Sequence, residues 1–148
     1  MEKYEVLEFV HILFATVWVG GAVIAAVLGS RLRNADPAHR LGTTRDLEFM
    51  GNVFGASAMV TLAFGIWMVI DSPTWAFGDT WVVIGLAAIG LSTILGAVLI
   101  SGATRSAIKE MEAGGAAEAH HRKIGLYSAL DMAVLLIAVW AMVFKPGA

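Results

Sequence analysis

The sequence contains no cysteine and little charge, and both absences narrow the kinds of protein that it can be. Without cysteine, the chain forms no disulfide, no thiolate metal site and no cysteine nucleophile. Only 15% of its 148 residues are charged, whereas 58% are hydrophobic. A soluble domain of this size buries only about 70% of its chain surface and needs more polar residues to cover the remainder. The composition therefore favours a membrane protein.

Motifs for common enzymatic reactions are also missing. The sequence has no HExxH pattern, no phosphate-binding loop, no nucleophile–base pair and no paired carboxylates. It has no basic tract either, and its net charge is −2, so nothing favours a nucleic-acid partner. The sequence therefore gives no support to a hydrolase or a kinase, and a role other than catalysis is favoured.

The hydrophobic residues lie in four runs, and each has the length of about 20 residues that a transmembrane helix needs. The runs cover residues 4–29, 49–70, 80–102 and 124–144. Short connections favour antiparallel neighbours, so we predict an all-α, up-down-up-down four-helix bundle and one integral membrane domain over residues 1–148. The first run follows the acidic segment MEKYEVLE, and we expect it to be a helix rather than a cleaved signal peptide.

Basic residues predict the orientation of these helices. Four arginines lie between the first two runs, and four basic residues lie between the last two, against only Lys3 and Lys145 on the opposite side. Cytoplasmic loops are enriched in lysine and arginine. We therefore predict that segments 30–48 and 103–123 are cytoplasmic, that both termini lie outside, and that the protein resides in a prokaryotic inner or plasma membrane.

Polar residues inside the first run mark a candidate site. A step of 100° per residue places Glu8, His11 and Trp18 near one stripe that we expect to face the bundle interior. His11 would lie about 7 Å deep and Trp18 about 18 Å deep. Three interpretations of His11 stay open: an ion pair with Glu8 near the surface, a ligand for haem iron or another metal, and a proton carrier.

Asp131 is the other ionisable residue deep in a run. At about its level lie polar residues of the second, third and fourth runs: Asn52, Ser57, Ser92, Thr93 and Ser128. An aspartate there is either a polar clamp between helices or a waypoint for protons or cations. The expected depths of Asp131 and His11 differ by about 13 Å. The two residues therefore cannot share a small metal site, but they fit two levels of one channel or opposite sides of a haem-sized ligand.

Glycines and further histidines complete the pattern. Gly51 and Gly55 form a GxxxG pair that serves either packing within the bundle or a homodimer face. His120 and His121 lie in a charged segment beyond the third run, where we expect them to be solvated.

The pattern His11, six residues, then Trp18-Val-Gly-Gly resembles the first helix of the copper-resistance D proteins and of the membrane-embedded, haem-associated protoporphyrinogen oxidases. Over its full length the chain is more closely similar to a family of predicted four-helix integral membrane proteins, which share this start and an end similar to MVFKPG. The resemblance implies that His11 binds haem b or a metal. The chain departs from the oxidases in having four runs and no lysine within any of them.

Three functions follow from these observations. The first is a haem-associated redox protein, in which His11 is the ligand, Trp18 packs on the ring, and Met132 and Asp131 contribute from the fourth run. The second is a non-catalytic accessory subunit or scaffold in a larger membrane complex. The third is a metal or ion transporter of the copper type, in the form of a homodimer. All three place the chain in the lipid bilayer.

Overall fold

The structure is a computed structural model that describes residues 3–32 and 35–148. Within these residues the chain forms four long helices: α1 (Lys3–Arg31), α2 (Pro37–Asp71), α3 (Thr80–Glu112) and α4 (Glu118–Phe144). Each is long and apolar enough to cross a membrane. The prediction of an all-α four-helix bundle is confirmed, and the chain is a small multi-pass membrane protein. Arg33, one of the arginines behind the predicted orientation, lies outside the described residues.

The helices form a ring in chain order, in which α1 packs on α2, α2 on α3, α3 on α4, and α4 on α1. An ion pair of 2.5 Å joins Lys3, at the start of α1, to Asp71, at the end of α2. Lys145, just after α4, lies 4.5 Å from the ring centre of Trp75, in the connection between α2 and α3. We call this side of the bundle the termini end and the opposite side the loop end. Which end faces the cytoplasm stays a prediction.

The helices at the loop end are longer than the hydrophobic runs. Helix α2 begins at Pro37 because the Asp36 carboxylate accepts a 3.0 Å hydrogen bond from the His39 backbone N–H, and proline suits the first helical position. Helix α3 continues to Glu112 and ends before Gly114, whose φ is +86°. The described parts of segments 30–48 and 103–123 are therefore largely helical.

Helix α3 is not uniform along its length. Residues Ile94–Ile100 form a π-helical segment directly after Ser92 and Thr93. Such segments are rare, cost hydrogen-bond geometry and occur frequently at functional sites. This one lies beside the helix that carries Asp131, since it packs against α4.

The core of the bundle is a thin apolar layer. Each helix contributes one buried residue to it: Trp18 from α1, Ala58 from α2, Ile89 from α3 and Leu135 from α4. Leu135 has no exposed surface at all. Most of the interior polar residues lie on either side of this layer along the helices, whereas the buried Ser57 directly precedes Ala58 on α2.

Candidate functional site

His11 is held by helix α2 rather than by its own helix. Its Nδ1 lies 2.8 Å from the backbone carbonyl oxygen of Thr61. A carbonyl oxygen only accepts, so Nδ1 carries the hydrogen, and in a neutral imidazole Nε2 then holds the lone pair. Glu8, the partner considered for His11, is exposed on the outside of α1. The structure therefore favours an interior histidine with Nε2 available for a proton or a metal over a surface ion pair.

Gly65 allows this contact. A Cβ atom at this position would lie 2.9 Å from His11 Cε1 and 3.1 Å from Nδ1. The ring could not reach the Thr61 carbonyl past such an atom. Gly65 lies one turn after Thr61, and the same face of α2 therefore supplies both the acceptor and the space. Sequence reasoning missed Gly65, since a spacing within one helix does not reveal a side chain arriving from another.

A small cavity of about 60 Å³ adjoins His11. All four helices line it, and Trp18, Gly85, Leu135 and Met142 are among the lining residues. His11 and Trp18, predicted to share one stripe, therefore do share one cavity. Met142 lines it, whereas Met132, the predicted ligand from the fourth run, does not. A water occupies about 30 Å³ in the liquid, so the space suits one or two waters or a single ion.

The cavity does not fit haem b. Sites that enclose ligands of drug or cofactor size measure about 300–1,000 Å³, far more than the 60 Å³ beside His11. Trp18 and Leu135 are part of the apolar layer and fill the space that a porphyrin would need. In the described part of the chain, no three acidic or histidine side chains come together as a metal site either.

Asp131 lies on the far side of the apolar layer from His11. It is buried on α4 and accepts a hydrogen bond from the Ser92 hydroxyl of α3. Asp131 precedes Leu135 by one turn, and Ser92 follows Ile89 by about one turn, so the pair begins about 5–6 Å beyond the layer. Of the residues predicted to surround Asp131, the structure confirms Ser92 as a direct partner.

Of the other polar residues predicted near Asp131, Ser57 is buried and donates to the Val53 carbonyl of its own helix at 3.0 Å, whereas Asn52 and Thr93 point away from Asp131. Both are exposed on the outside of the bundle. The Thr93 hydroxyl donates to the Ile89 carbonyl of its own helix at 2.8 Å. Depth had placed them at the level of Asp131, but a shared depth does not determine which side of a helix a residue occupies. Among these residues, Ser92 is therefore the one whose side chain bonds to Asp131 in the described part of the chain.

The loop end contains a second interior histidine. His121 Nδ1 lies 2.9 Å from the Ala117 carbonyl oxygen, and Nε2 lies 3.5 Å from the hydroxyl of Thr44 on α2. Thr44 is almost completely buried. His120, its neighbour, lies 3.4 Å from a carboxylate oxygen of Glu110 on α3. His121 is half-buried and contacts helix α2, so the expectation that both histidines are solvated is met only in part.

These residues together form a discontinuous polar path along the bundle axis. From the termini end it passes His11 and Thr61, crosses the apolar layer, and continues through Ser92–Asp131 and the buried Thr104 to Thr44 and His121. On α2 alone, Thr61 and Thr44 are 17 residues apart, or about 26 Å along the helix. That length approaches the thickness of about 30 Å of a bilayer's hydrocarbon core. The interior polar residues are therefore spread over most of the thickness of a membrane, with the apolar layer between them.

The sequence matches no protein-family model, and neither a curated protein nor a solved structure matches the chain.

Proposed function

We propose that the protein moves protons across its membrane through the interior of the bundle, with His11 and Asp131 as the two proton-carrying groups. The observation that carries this proposal is their placement. Both ionisable residues face the interior, on opposite sides of an apolar layer about one turn thick. Charged residues inside a membrane are costly, and where they occur they commonly mark ion or proton pathways.

His11 takes up the proton on the termini side of the layer. Its Nδ1–H stays on the Thr61 carbonyl, so the incoming proton binds at Nε2, which borders the cavity. The hydrogen bond to Thr61 fixes the ring while its charge changes. Loss of the same proton from Nε2 returns His11 to the neutral form with Nδ1–H unchanged.

Asp131 receives the proton on the loop side. Its carboxylate accepts it on one oxygen, while the Ser92 hydroxyl donates to the other, Oδ1. Release of that proton toward Thr104, Thr44 and His121 restores the carboxylate. The buried hydroxyls cannot hold an extra proton for long, but together with water they relay one. His121 is then the last titratable interior group before the loop end.

The apolar layer keeps the two carriers apart at rest. Trp18, Ala58, Ile89 and Leu135 lie between the cavity and Asp131, and the buried Ser57 hydroxyl beside Ala58 donates to the Val53 carbonyl of its own helix. A proton crosses only when water enters this layer transiently, and a hydrophobic constriction of this kind gates by dewetting. The π-helical segment that begins two residues after Ser92 offers α3 a place to shift register without unfolding.

The experiment is proton flux into liposomes that contain the purified protein, driven by a potassium gradient with valinomycin and followed with an internal pH dye. Wild-type protein is expected to acidify the lumen faster than empty liposomes. Asp131→Asn and His11→Gln are each expected to reduce the rate to that of empty liposomes. Glu8→Gln removes an acid from the outside of α1 and is the control that leaves the rate unchanged.

A finer comparison uses two neighbouring hydroxyls. Ser92→Ala removes the partner of Asp131, whereas Thr93→Ala removes an outward hydroxyl bonded within its own helix. We expect the first to slow the flux and the second to leave it as in the wild type. Flux that persists unchanged in Asp131→Asn would show that the proposal is wrong, provided that the variant retains its helical circular dichroism.

Transfer of monovalent copper is a second candidate, favoured by the thioether of Met142 beside His11 in the same cavity. Imidazole and thioether ligands suit soft Cu(I). Met142→Leu is then expected to weaken Cu(I) binding in competition with a chromogenic chelator. Met132→Leu, on the same helix but away from the cavity, is the matched control. Equal binding by the two variants would remove this candidate. Haem binding and an accessory role stay predictions from the sequence.

A further inference from the structure

A larger cleft lies at the termini end, apart from the polar path. Its volume is about 510 Å³, within the range of about 300–1,000 Å³ typical of ligand sites. The start of α1, the end of α2 and the connection after it supply the walls, which include Lys3, Tyr4, Asp71, Thr74 and Trp75. The cleft is therefore large enough for a polar group of several atoms, which the cavity at His11 is not.

One positive and one negative side chain line this cleft. Lys3 Nζ lies 2.5 Å from Asp71 Oδ1, and the two side chains remain 59% and 32% exposed. The ammonium has three hydrogens to donate and the carboxylate has a second oxygen, so each can take a further partner. A ligand with a single charge would suit one of these groups and be repelled by the other. A zwitterion satisfies both.

Aromatic residues place the cleft at the membrane surface. Trp75 lines the cleft and packs edge-on against Trp81, with 5.3 Å between the ring centres. Lys3 Nζ lies 5.5 Å from the ring centre of Trp67. Tryptophan and tyrosine concentrate at the level of lipid head groups. Just inside this level, Val6 and Ile70 expose apolar side chains on α1 and α2. A lipid bound here would find polar walls for its head and apolar helices for its chains.

We propose that this cleft binds the head group of a phospholipid that carries both a phosphate and a primary amine. Lys3 donates to the phosphate oxygens and Asp71 accepts from the ammonium of the lipid, while Tyr4 and Trp75 line the cleft around them. A primary ammonium donates hydrogen bonds to a carboxylate, and a trimethylated one cannot. The cleft therefore discriminates phosphatidylethanolamine from phosphatidylcholine. This inference is independent of proton transfer.

The test is native mass spectrometry of the full chain in mild detergent with phosphatidylethanolamine, phosphatidylcholine and phosphatidylglycerol, which share the same acyl chains. Phosphatidylethanolamine is expected to be retained several-fold more than either of the other two. Equal retention of the three, or preferential retention of phosphatidylglycerol, would overturn the proposal. This result needs no variant and is therefore unaffected by any folding defect.

Variants of Asp71 and Lys3 then test which group of the lipid each of these side chains binds. Asp71→Asn is expected to abolish the preference for phosphatidylethanolamine over phosphatidylcholine, and Asp71→Glu to keep it. Lys3→Gln is expected to lower the retention of both lipids. Glu8→Gln neutralises an exposed acid on the same helix that does not line the cleft, and it should change neither. Unchanged selectivity in Asp71→Asn would contradict the assignment of the lipid ammonium to Asp71 and would place the selective site elsewhere on the bundle.

Discussion

The inward and outward faces of the bundle use the same residue types for opposite purposes. On α4, Leu135 is completely buried in the apolar layer, while its neighbour Leu136 is 59% exposed. On α2, Gly65 lies against His11, while a Cβ atom at Gly55 would meet nothing within 4 Å. In water, polarity would distinguish two such faces, but in lipid both are apolar. What separates them is a small set of close contacts across helices.

The largest difference in stability between the inward and outward faces is expected when a leucine on each face is replaced by alanine. Leu135→Ala leaves a cavity where all four helices meet and should lower the free energy of unfolding by about 2–5 kcal/mol. Leu136→Ala removes an exposed side chain and should change it by less than about 0.5 kcal/mol. Unfolding of the purified variants by SDS in mixed micelles, followed by circular dichroism, measures both.

Equal losses in the two leucine variants would mean that the apolar layer is not the core of the bundle. In that case Leu136 would be covered by a second copy or a partner, which repeating the measurement over a range of protein concentrations would reveal, since oligomer stability depends on concentration.

Much of the fold was predictable because a membrane span has a fixed length. The four helices and the shared interior position of His11 and Trp18 follow from hydrophobic run length and helical period. Glu8 was placed wrongly because it is three residues from His11, an offset of about 60° around the helix. That offset is enough to bring its side chain to the outside.

The contacts across helices were not predictable from one sequence. Asn52 and Ser92 were expected at one depth, yet only Ser92 reaches Asp131, since depth fixes height and leaves rotation about the helix axis open. Met142 enters the His11 cavity from another helix, which no spacing along the chain encodes. The start of α2 could have been found from Asp36-Pro37, a common signal at helix starts.

A smaller difference in stability is expected between alanine substitutions at two glycines of α2. In Gly65→Ala the new methyl group would lie 2.9 Å from His11 Cε1, so the ring must move and lose the Thr61 carbonyl. Overpacking costs about 1–3 kcal/mol, which the helix propensity of alanine offsets by about 1 kcal/mol. Gly55→Ala gains the propensity without the collision.

The same SDS titration gives the two stabilities, and ¹⁵N NMR of the His11 ring reports whether Nδ1 still carries its hydrogen. We expect Gly65→Ala to be destabilised and to lose a fixed tautomer, and Gly55→Ala to match or exceed the wild type. A destabilised Gly55→Ala would contradict an open outer face and would support the homodimer or accessory-subunit interpretation of Gly51 and Gly55.

The smallest effect on stability is expected for Asp36. This residue caps the start of α2 and belongs to neither the inward nor the outward face of the bundle. The His39 backbone N–H donates to its carboxylate and lowers the pKa of Asp36 below the usual value of about 3.9. Because the folded-state pKa is the lower one, the carboxylate stabilises the start of α2 fully above about pH 4 and loses this contribution as pH falls through the lowered pKa. Asp36→Asn keeps a capping oxygen and should flatten the acid limb of the stability curve, whereas Asp36→Ala should lower stability at neutral pH as well. An acid limb that is identical in wild type and Asp36→Asn would show that other carboxylates control it.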